Sequence, residues 1–131
     1  MTLYVGLYRR SGGKIGGRMG RNKVLLLTTT GRKSGRARTT PLGWFDHPDG
    51  YLIVASNGGA STHPAWYLNL KHQPQVSVQL FDKVVPVTGE ILTGEPRVQA
   101  WQQVITEAPN YAAYEKRTSR EIPLVLLHPG T

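Results

Sequence analysis

The stretch Lys23-Val-Leu-Leu-Leu-Thr-Thr-Thr-Gly31-Arg-Lys-Ser-Gly35-Arg-Ala-Arg38 decides the fold, because it joins an apolar strand to a charged loop. The unbroken apolar run at 24–27 is typical of a strand that is buried on both faces. The loop is bounded by Gly31 and Gly35, and glycine allows backbone angles that turn amide groups toward a ligand. Arginine, lysine and serine side chains hold anionic oxygens. The segment therefore predicts a strand that presents a phosphate- or carboxylate-binding loop.

The composition restricts the class of protein. The chain has 131 residues and no cysteine, which fits one domain with its own core and excludes disulfides, zinc–thiolate sites and thiol nucleophiles. The lack of cysteine favours a cytoplasmic protein. No apolar run approaches the ~20 residues that cross a bilayer, and we expect no signal peptide. The four histidines are scattered without carboxylates at ligand spacing, so no metal site is expected.

The positive charge is concentrated at one end of the chain. Sixteen Lys and Arg residues against eight Asp and Glu give a net charge of +8. Ten of the sixteen lie in residues 1–38, and the first acidic residue is Asp46. Such a field attracts nucleic acid, an anionic membrane surface or a multiply charged cofactor. Aromatic residues do not interleave with the basic segment as stacking platforms would require, so no nucleic-acid partner is expected.

Turn and breaker residues divide the chain into short segments. Residues 1–21 are interpreted as a basic, glycine-rich N-terminal arm of irregular structure, and 22–131 as the folded domain. We expect strands over 22–30, 37–46, 51–56, 75–81, 84–92 and 122–127, and helices over 64–71, 94–107 and 110–116. Hairpins, not βαβ units, join most of the strands. The pattern predicts an α+β fold, an antiparallel sheet closed into a small barrel of about six strands with two or three flanking helices.

Two further segments are candidates for the walls of a cleft. Residues 55–59 end a strand in a turn of small residues, which allows a flat ring to approach the backbone. Trp66, Tyr67 and Asn69 combine apolar bodies with polar tips on one predicted helix, which suits a ring-binding surface.

The last predicted helix carries two tyrosines on one face. Tyr111 and Tyr114 are three residues apart, so they project from the same face of the helix. There they would either contact a planar substrate or pack the helix on the barrel.

The sequence shows no evident catalytic side chains of its own. Neither Ser34 nor Ser56 lies in a Gly-x-Ser-x-Gly motif, and no acid–base pair is evident. Chemistry would therefore come from a bound cofactor.

Four motifs in the same order resemble the deazaflavin-dependent nitroreductase family, an actinobacterial branch of the flavin-reductase-like split β-barrels. They are Thr28–Gly35, Arg38–Leu42, Ala55–Gly59 and Pro64–Leu70, and the resemblance runs over residues 22–129. Members of the family bind coenzyme F-420, an 8-hydroxy-5-deazaflavin with a phosphate and a polyglutamate tail. The resemblance implies a reductase that moves a hydride from the reduced cofactor to an electron-poor conjugated acceptor, such as a quinone, enone, unsaturated lactone or nitroaromatic.

The resemblance also implies roles for individual residues. The cofactor would be held by Arg32, Lys33, Ser34, Gly35, Arg38, Thr39, Thr40, Pro41, Leu42, Gly43, Val54, Ala55, Ser56, Asn57, Ala65, Trp66, Tyr67, Leu68 and Asn69. Within this set the loop residues would hold the phosphate and tail, and the others would surround the ring. The substrate pocket would be lined by Gly43, Ala108, Tyr111 and Tyr114. The proton that completes the reduction would come from solvent or from Ser56, Tyr111 or Tyr114, and the sequence does not choose among them.

The chain departs from the nitroimidazole-activating members of the family at three positions. Those members carry a tyrosine where Gly43 stands, a lysine where Asn57 stands and a tyrosine where Ala108 stands. Gly43 and Ala108 would widen the pocket, and Asn57 would remove one charge beside the cofactor.

Three alternatives remain open. An FMN-binding oxidase or reductase would use the same kind of barrel, and a non-enzymatic basic module would bind nucleic acid. Peripheral contact with the inner face of the plasma membrane through residues 1–21 is compatible with quinone reduction. The sequence leaves the oligomeric state undecided.

Overall fold

The computed structural model describes residues 3–19 and 22–130 as one antiparallel sheet with helices around it. The strands are β1 (Arg18–Met19), β2 (Asn22–Thr30), β3 (Ala37–His47), β4 (Gly50–Val54), β5 (Gln75–Leu80), β6 (Lys83–Ile91) and β7 (Leu124–Pro129). The helices are α1 (Leu3–Ser11), α2 (Ala65–His72), α3 (Gly94–Glu107) and α4 (Asn110–Arg117). The six strands and three helices expected from the sequence are confirmed to within two residues at each end.

Strand β2 closes the sheet into a barrel because both of its edges are paired. It pairs with β3 from Lys23↔Trp44 to Thr30↔Ala37 and with β5 from Leu26↔Gln79 to Thr28↔Ser77. The order β2-β3-β4-β7-β6-β5 thus returns to β2. The short strand β1 pairs antiparallel with the first two residues of β2. The predicted six-stranded antiparallel barrel is confirmed.

The apolar run of β2 contributes to two packed layers. Leu25 and Leu27 belong to the interior cluster of the barrel, which α2 covers with Trp66 and Leu70. Successive side chains of a strand point to opposite faces, so the alternate residues face outward, where α1 covers them. Helices α3 and α4 pack over the outer face of β3, β4 and β7 in a separate cluster.

The prediction of an irregular N-terminal arm is wrong over Leu3–Ser11, because these residues form helix α1. The described residues therefore contain four α-helices instead of the expected two or three. Val5 and Tyr8 are buried against β2. Tyr8 Oη accepts a hydrogen bond from the Phe81 amide at 2.9 Å and lies 2.9 Å from the Val24 carbonyl oxygen.

Tertiary packing therefore stabilises a helix that the glycine-rich local sequence does not favour. Residues 1, 2, 20 and 21 of the expected arm, and Thr131, lie outside the described residues. The division of the chain at residue 21 stays a prediction.

Replacing Gly13 tests whether the N-terminal segment packs as described. Gly13 has φ +82°, and a Cβ there would lie 2.3 Å from Phe81 Cα in the β5–β6 turn. We expect Gly13→Ala to lower the free energy of unfolding by about 1–3 kcal/mol, because backbone must move to admit the methyl group. Urea unfolding measures the change.

Gly6→Ala is the matched control, since Gly6 lies inside α1 with nothing within 4 Å of a built Cβ. Alanine at this helical position should stabilise the protein by about 0.5–1 kcal/mol. Equal stability of Gly13→Ala and wild type would contradict the packing of this segment on the β5–β6 turn.

Candidate functional site

The predicted anion loop is exposed, and its turn is fixed by its own hydrogen bonds. The Gly35 amide donates to the Gly31 carbonyl oxygen and the Gly31 amide to the Arg36 carbonyl oxygen, both at 2.8 Å. The Arg36 amide donates to Ser34 Oγ at 3.2 Å. Gly35 takes φ +71°, the left-handed region that glycine permits. The cationic side chains of the loop are thus carried on an ordered backbone.

A buried amide on α2 anchors this loop to the barrel. Asn69 Oδ1 accepts from the Arg32 amide at 3.1 Å and from Arg32 Nη1 at 2.8 Å. Asn69 Nδ2 donates to Thr29 Oγ1 at 3.4 Å, at the end of β2. Asn69 is only 4% exposed, so these bonds are shielded from water. The side chain that the sequence marked as a candidate cofactor contact is also a structural anchor.

The loop, β3 and α2 enclose an outer cavity of about 610 Å³. Its walls carry four cationic side chains and no acidic one. Arg9 comes from α1, where Nη2 donates to Thr39 Oγ1 at 2.9 Å. The outer cavity is lined by Arg9, Thr28, Gly31, Arg32, Lys33, Ser34, Ala37, Arg38, Thr39, Thr40, Ala65, Trp66 and Asn69. This cavity suits a ligand with several negative charges.

A second, inner cavity of about 310 Å³ adjoins the first. The two cavities share Thr40 and Trp66 in their walls. The inner cavity is lined by Thr40, Pro41, Leu42, Gly43, Val54, Ser56, Asn57, Gly58, Pro64, Trp66 and Tyr111, with no ionised side chain among them. It therefore suits a planar, largely uncharged group beside the charged one.

Tyr111 forms the far wall of the inner cavity. Its ring packs edge-on against Phe45 and Tyr114, with centroids 5.9 Å and 5.5 Å apart. Burial raises the pKa of the Tyr111 phenol above its ordinary value, and the nearby Tyr114 raises it further. The phenol is thus neutral and able to donate a hydrogen bond at neutral pH. A side-chain carbon built at Gly43 would lie 3.7 Å from Tyr111 Oη, so glycine leaves space beside this hydroxyl.

Most of the sequence-predicted site residues come together around the two cavities. Six of them lie outside the walls: Gly35, Ala55, Tyr67, Leu68, Ala108 and Tyr114. Ala55 and Tyr67 belong to the barrel interior, and Ala108 is buried beneath α3 and α4. Tyr114 reaches the site only through its contact with Tyr111.

Sequence reasoning missed several residues of the walls. They are Arg9, Thr28, Gly31, Ala37, Gly58 and Pro64. Five of them adjoin or lie within the motifs already identified, so extending those motifs by a residue or two would have found them. Arg9 carried no such signal, because its place depends on the packing of α1.

Two structural findings concern metal sites and membrane-spanning helices. Among residues 3–19 and 22–130, no group of three or more His, Cys, Asp or Glu side chains could hold a metal ion. No helix in the same part of the chain has the length and apolar character needed to span a bilayer.

Comparisons with known proteins identify a family and related solved structures. The model of a family described as F420H(2)-dependent quinone reductase matches residues 1–129. An F420H(2)-dependent quinone reductase of Mycobacterium tuberculosis is 40% identical over 131 residues, covering 97% of this chain and 88% of the relative. A solved F420-H2 dependent reductase (FDR-A) is 43% identical with a TM-score of 0.73, covering 80% of this chain and 93% of that one. Another solved structure, a domain-swapped dimer, is 43% identical with a TM-score of 0.74, covering 80% and 79%.

Replacing Asn69 tests the anchor of the loop. Asn69→Leu keeps the size of the side chain but removes the acceptor of the Arg32 amide and of Arg32 Nη1. We expect the free energy of unfolding to fall by about 1–3 kcal/mol, because the buried side chain loses its hydrogen bonds to Arg32 and Thr29. Thermal unfolding measures the loss. Asn110→Leu, at an exposed position that begins α4, is the control and should change stability little. Similar stabilities of the two variants would contradict the anchoring role.

Proposed function

The chain belongs to the family of F420H(2)-dependent quinone reductases, and we propose that its two adjoining cavities hold coenzyme F-420 and the acceptor. It is an oxidoreductase that uses reduced coenzyme F-420 to reduce a quinone-like acceptor, which confirms the activity expected from the sequence. One observation supports this use of the cavities above all others. A cation-lined cavity adjoins one without ionised side chains. The cofactor likewise joins a phosphate and polyglutamate tail, with several negative charges, to a flat ring.

The outer cavity fits the phosphate and glutamate tail. Arg32, Lys33, Arg38 and Arg9 supply positive charge, and no acidic side chain in the walls opposes it. Guanidinium groups bind phosphate and carboxylate oxygens in pairs of parallel hydrogen bonds. Because these side chains are exposed to solvent, salt screens their attraction for the tail. We therefore infer that tail binding weakens as ionic strength rises.

The inner cavity fits the ring of the cofactor and the acceptor beside it. Leu42 and Val54 provide apolar walls, and Gly43 allows close approach to the backbone. When bound, the reduced deazaflavin supplies the hydride. The chain contributes by holding ring and acceptor in contact, so we expect the rate to depend mainly on positioning.

Tyr111 is the residue that we propose to orient the acceptor and to donate the proton that completes its reduction. It lines the inner cavity, and its phenol, the pKa of which is raised by burial, is protonated at neutral pH. Ser56 also lines this cavity and is the second candidate. Tyr114 supports the ring of Tyr111 instead of lining the cavity. The space beside Gly43 favours acceptors bulkier than those admitted by a tyrosine at that position.

We also propose a cytoplasmic enzyme that contacts anionic membrane surfaces through α1. Leu3 and Leu7 are 80% and 38% exposed and lie one helical turn apart. Arg10 is exposed on the same side of the helix, and Ile15 follows with 53% exposure. Exposed apolar side chains flanked by cations suit the interface of an anionic bilayer, where quinone acceptors dissolve.

A fluorescence titration with oxidised coenzyme F-420 tests the cofactor proposal. We expect binding at micromolar cofactor, and Lys33→Ala with Arg38→Ala should weaken it by at least about tenfold, because each lost charge-assisted hydrogen bond contributes about 1.5–3 kcal/mol. The preference among acceptors should stay the same. An FMN titration in parallel tests the alternative cofactor, and tighter binding of FMN would overturn the assignment.

Arg9→Ala and Arg10→Ala form a matched pair for the same titration. Arg9 lines the outer cavity, whereas its exposed neighbour Arg10 does not. Only Arg9→Ala should weaken cofactor binding beyond the small effect of lowering the net charge. Equal losses of cofactor affinity in the two variants would mean that α1 contributes only its positive charge and that Arg9 makes no direct contact with the cofactor.

Sedimentation with phosphatidylglycerol vesicles tests the membrane proposal. We expect binding that phosphatidylcholine vesicles do not give, and Leu3→Ser with Leu7→Ser should weaken it by about tenfold or more, because apolar side chains no longer enter the interface. Val84→Ser is the control, since Val84 is an apolar residue that is 69% exposed on β6. Failure to bind anionic vesicles would contradict the proposal.

A further inference from the structure

We propose that Arg120 is a positioning residue that fixes the strand-exit loop at residues 55–60 and thereby shapes the inner cavity. Arg120 lies in the irregular segment between α4 and β7, outside the walls of both cavities. Nothing in its sequence context indicated a role. The inference rests on the proposed function only in what the inner cavity is used for, since the contacts of Arg120 stand by themselves.

The guanidinium of Arg120 bonds to three backbone carbonyls of the loop. Its Nη2 donates to the Ser56 carbonyl oxygen at 2.8 Å, and its Nε donates to the Ala60 carbonyl oxygen at 3.0 Å. Both Nη1 and Nη2 lie 3.3 Å from the Ala55 carbonyl oxygen. A planar guanidinium can satisfy such divergent acceptors, whereas the single ammonium of lysine cannot.

The loop has a backbone that needs this support. Asn57, Gly58 and Gly59 are three consecutive residues in the left-handed region, with φ of 49°, 64° and 82°. For Asn57 this conformation is strained. Within the loop, the Gly59 amide donates a hydrogen bond to the Ser56 carbonyl oxygen at 2.9 Å, and the Ala60 amide donates one to the Asn57 carbonyl oxygen at 3.1 Å. Contacts from outside the loop must therefore hold it.

The loop in turn forms one wall of the inner cavity. Ser56, Asn57 and Gly58 all line that cavity. On its other side, the loop packs beneath α4, where a Cβ built at Gly59 would lie 3.1 Å from the Tyr114 carbonyl oxygen. Arg120 thus acts on the site through the position of these residues and touches neither cavity itself.

His63 makes the same cluster sensitive to acid. Its Nδ1 lies 3.0 Å from Arg120 Nη1 and accepts a hydrogen bond only when unprotonated. The pKa of His63 is lowered, first by burial and then by the charges of Arg120 and Lys71. The Tyr67 ring also packs against the His63 ring, with the two centroids 4.8 Å apart. The bond is therefore present at neutral pH and is lost as the pH falls through the lowered pKa.

Hydrogen–deuterium exchange of the cofactor-free protein tests the proposal directly. In Arg120→Met, the Gly59 and Ala60 amides should exchange at least about tenfold faster, because charged hydrogen bonds to the loop are lost. Amides of β2 should be unaffected. Arg120→Lys should protect the loop to an intermediate degree. Unchanged exchange at residues 59 and 60 would overturn the proposal.

Arg97→Met is the matched control for general destabilisation. Arg97 also ties a helix to the segment before β7, with Nη2 donating to the Ile122 carbonyl oxygen at 2.6 Å, but it makes no contact with the loop. It should leave exchange at residues 59 and 60 unchanged. Equal acceleration of these amides in the Arg97 and Arg120 variants would show a merely structural role and overturn the proposal.

His63→Gln keeps an acceptor for Arg120 and removes the titration, so the proposal remains testable where Arg120→Met does not fold. Wild type should lose protection of the Gly59 amide below the pKa of His63, after correction for intrinsic exchange, and His63→Gln should not. Identical pH dependence in the two proteins would contradict the role of the bond.

Kinetics then separate this proposal from the cofactor assignment. Arg120→Met should lower kcat/KM for a quinone by about tenfold or more with a smaller loss of cofactor affinity, because the ring shares the inner cavity but the charged tail contacts are intact. A loss confined to cofactor Kd would overturn the positioning role. Failure of wild type to bind the cofactor would overturn the assignment of the cavities and leave the exchange result standing.

Discussion

The short pairing of β2 with β5 is the constraint on which the rest of the structure depends. It joins the two ends of the sheet over Leu26–Thr28 only. Because the sheet is closed there, one face of β2 points into the barrel and the other points outward toward α1, and both faces of its apolar run are buried. Beyond Thr28 the strand pairs with β3 alone. That freed edge is where Asn69 of α2 bonds to Thr29 and Arg32. The barrel closes below the site and is left open at the site, and the outer cavity occupies the opening.

The positive charge of that opening is not compensated, because no acidic side chain of the described residues lines the outer cavity. In residues 3–19 and 22–130 the ion pairs involve Asp46, Glu90 and Glu121, none of which lines the outer cavity. The cationic side chains of the cavity therefore repel one another, and a bound polyanion relieves that repulsion. A ligand that binds only the folded state also stabilises it. The same charges thus destabilise the free protein slightly and favour the bound one.

The parts of this structure that sequence could predict were those with local causes. The apolar run of β2, the His47–Gly50 turn and Pro64 before α2 indicated their elements, and the glycine-bounded loop indicated an anion site. The rest depended on residues distant in sequence. Helix α1 forms because Tyr8 packs on β2, and Arg9 enters the site only as a result. The bonds from the Arg120 guanidinium to the loop carbonyls join residues separated by 60 or more positions, and no spacing rule predicts them.

The small overlap between the linings of the two cavities has a consequence for how such an enzyme diversifies. Their linings overlap at Thr40 and Trp66 alone. Mutations at Gly43 or around Tyr111 alter the inner lining and leave the cation-lined outer cavity, which we propose holds the cofactor tail, unchanged, so the acceptor can change while the tail contacts are kept. Trp66 is the exception, because it borders both spaces and is also packed in the barrel core. A lineage that adapts to new acceptors is therefore free to vary at Gly43 and around Tyr111, and it is least free at Trp66.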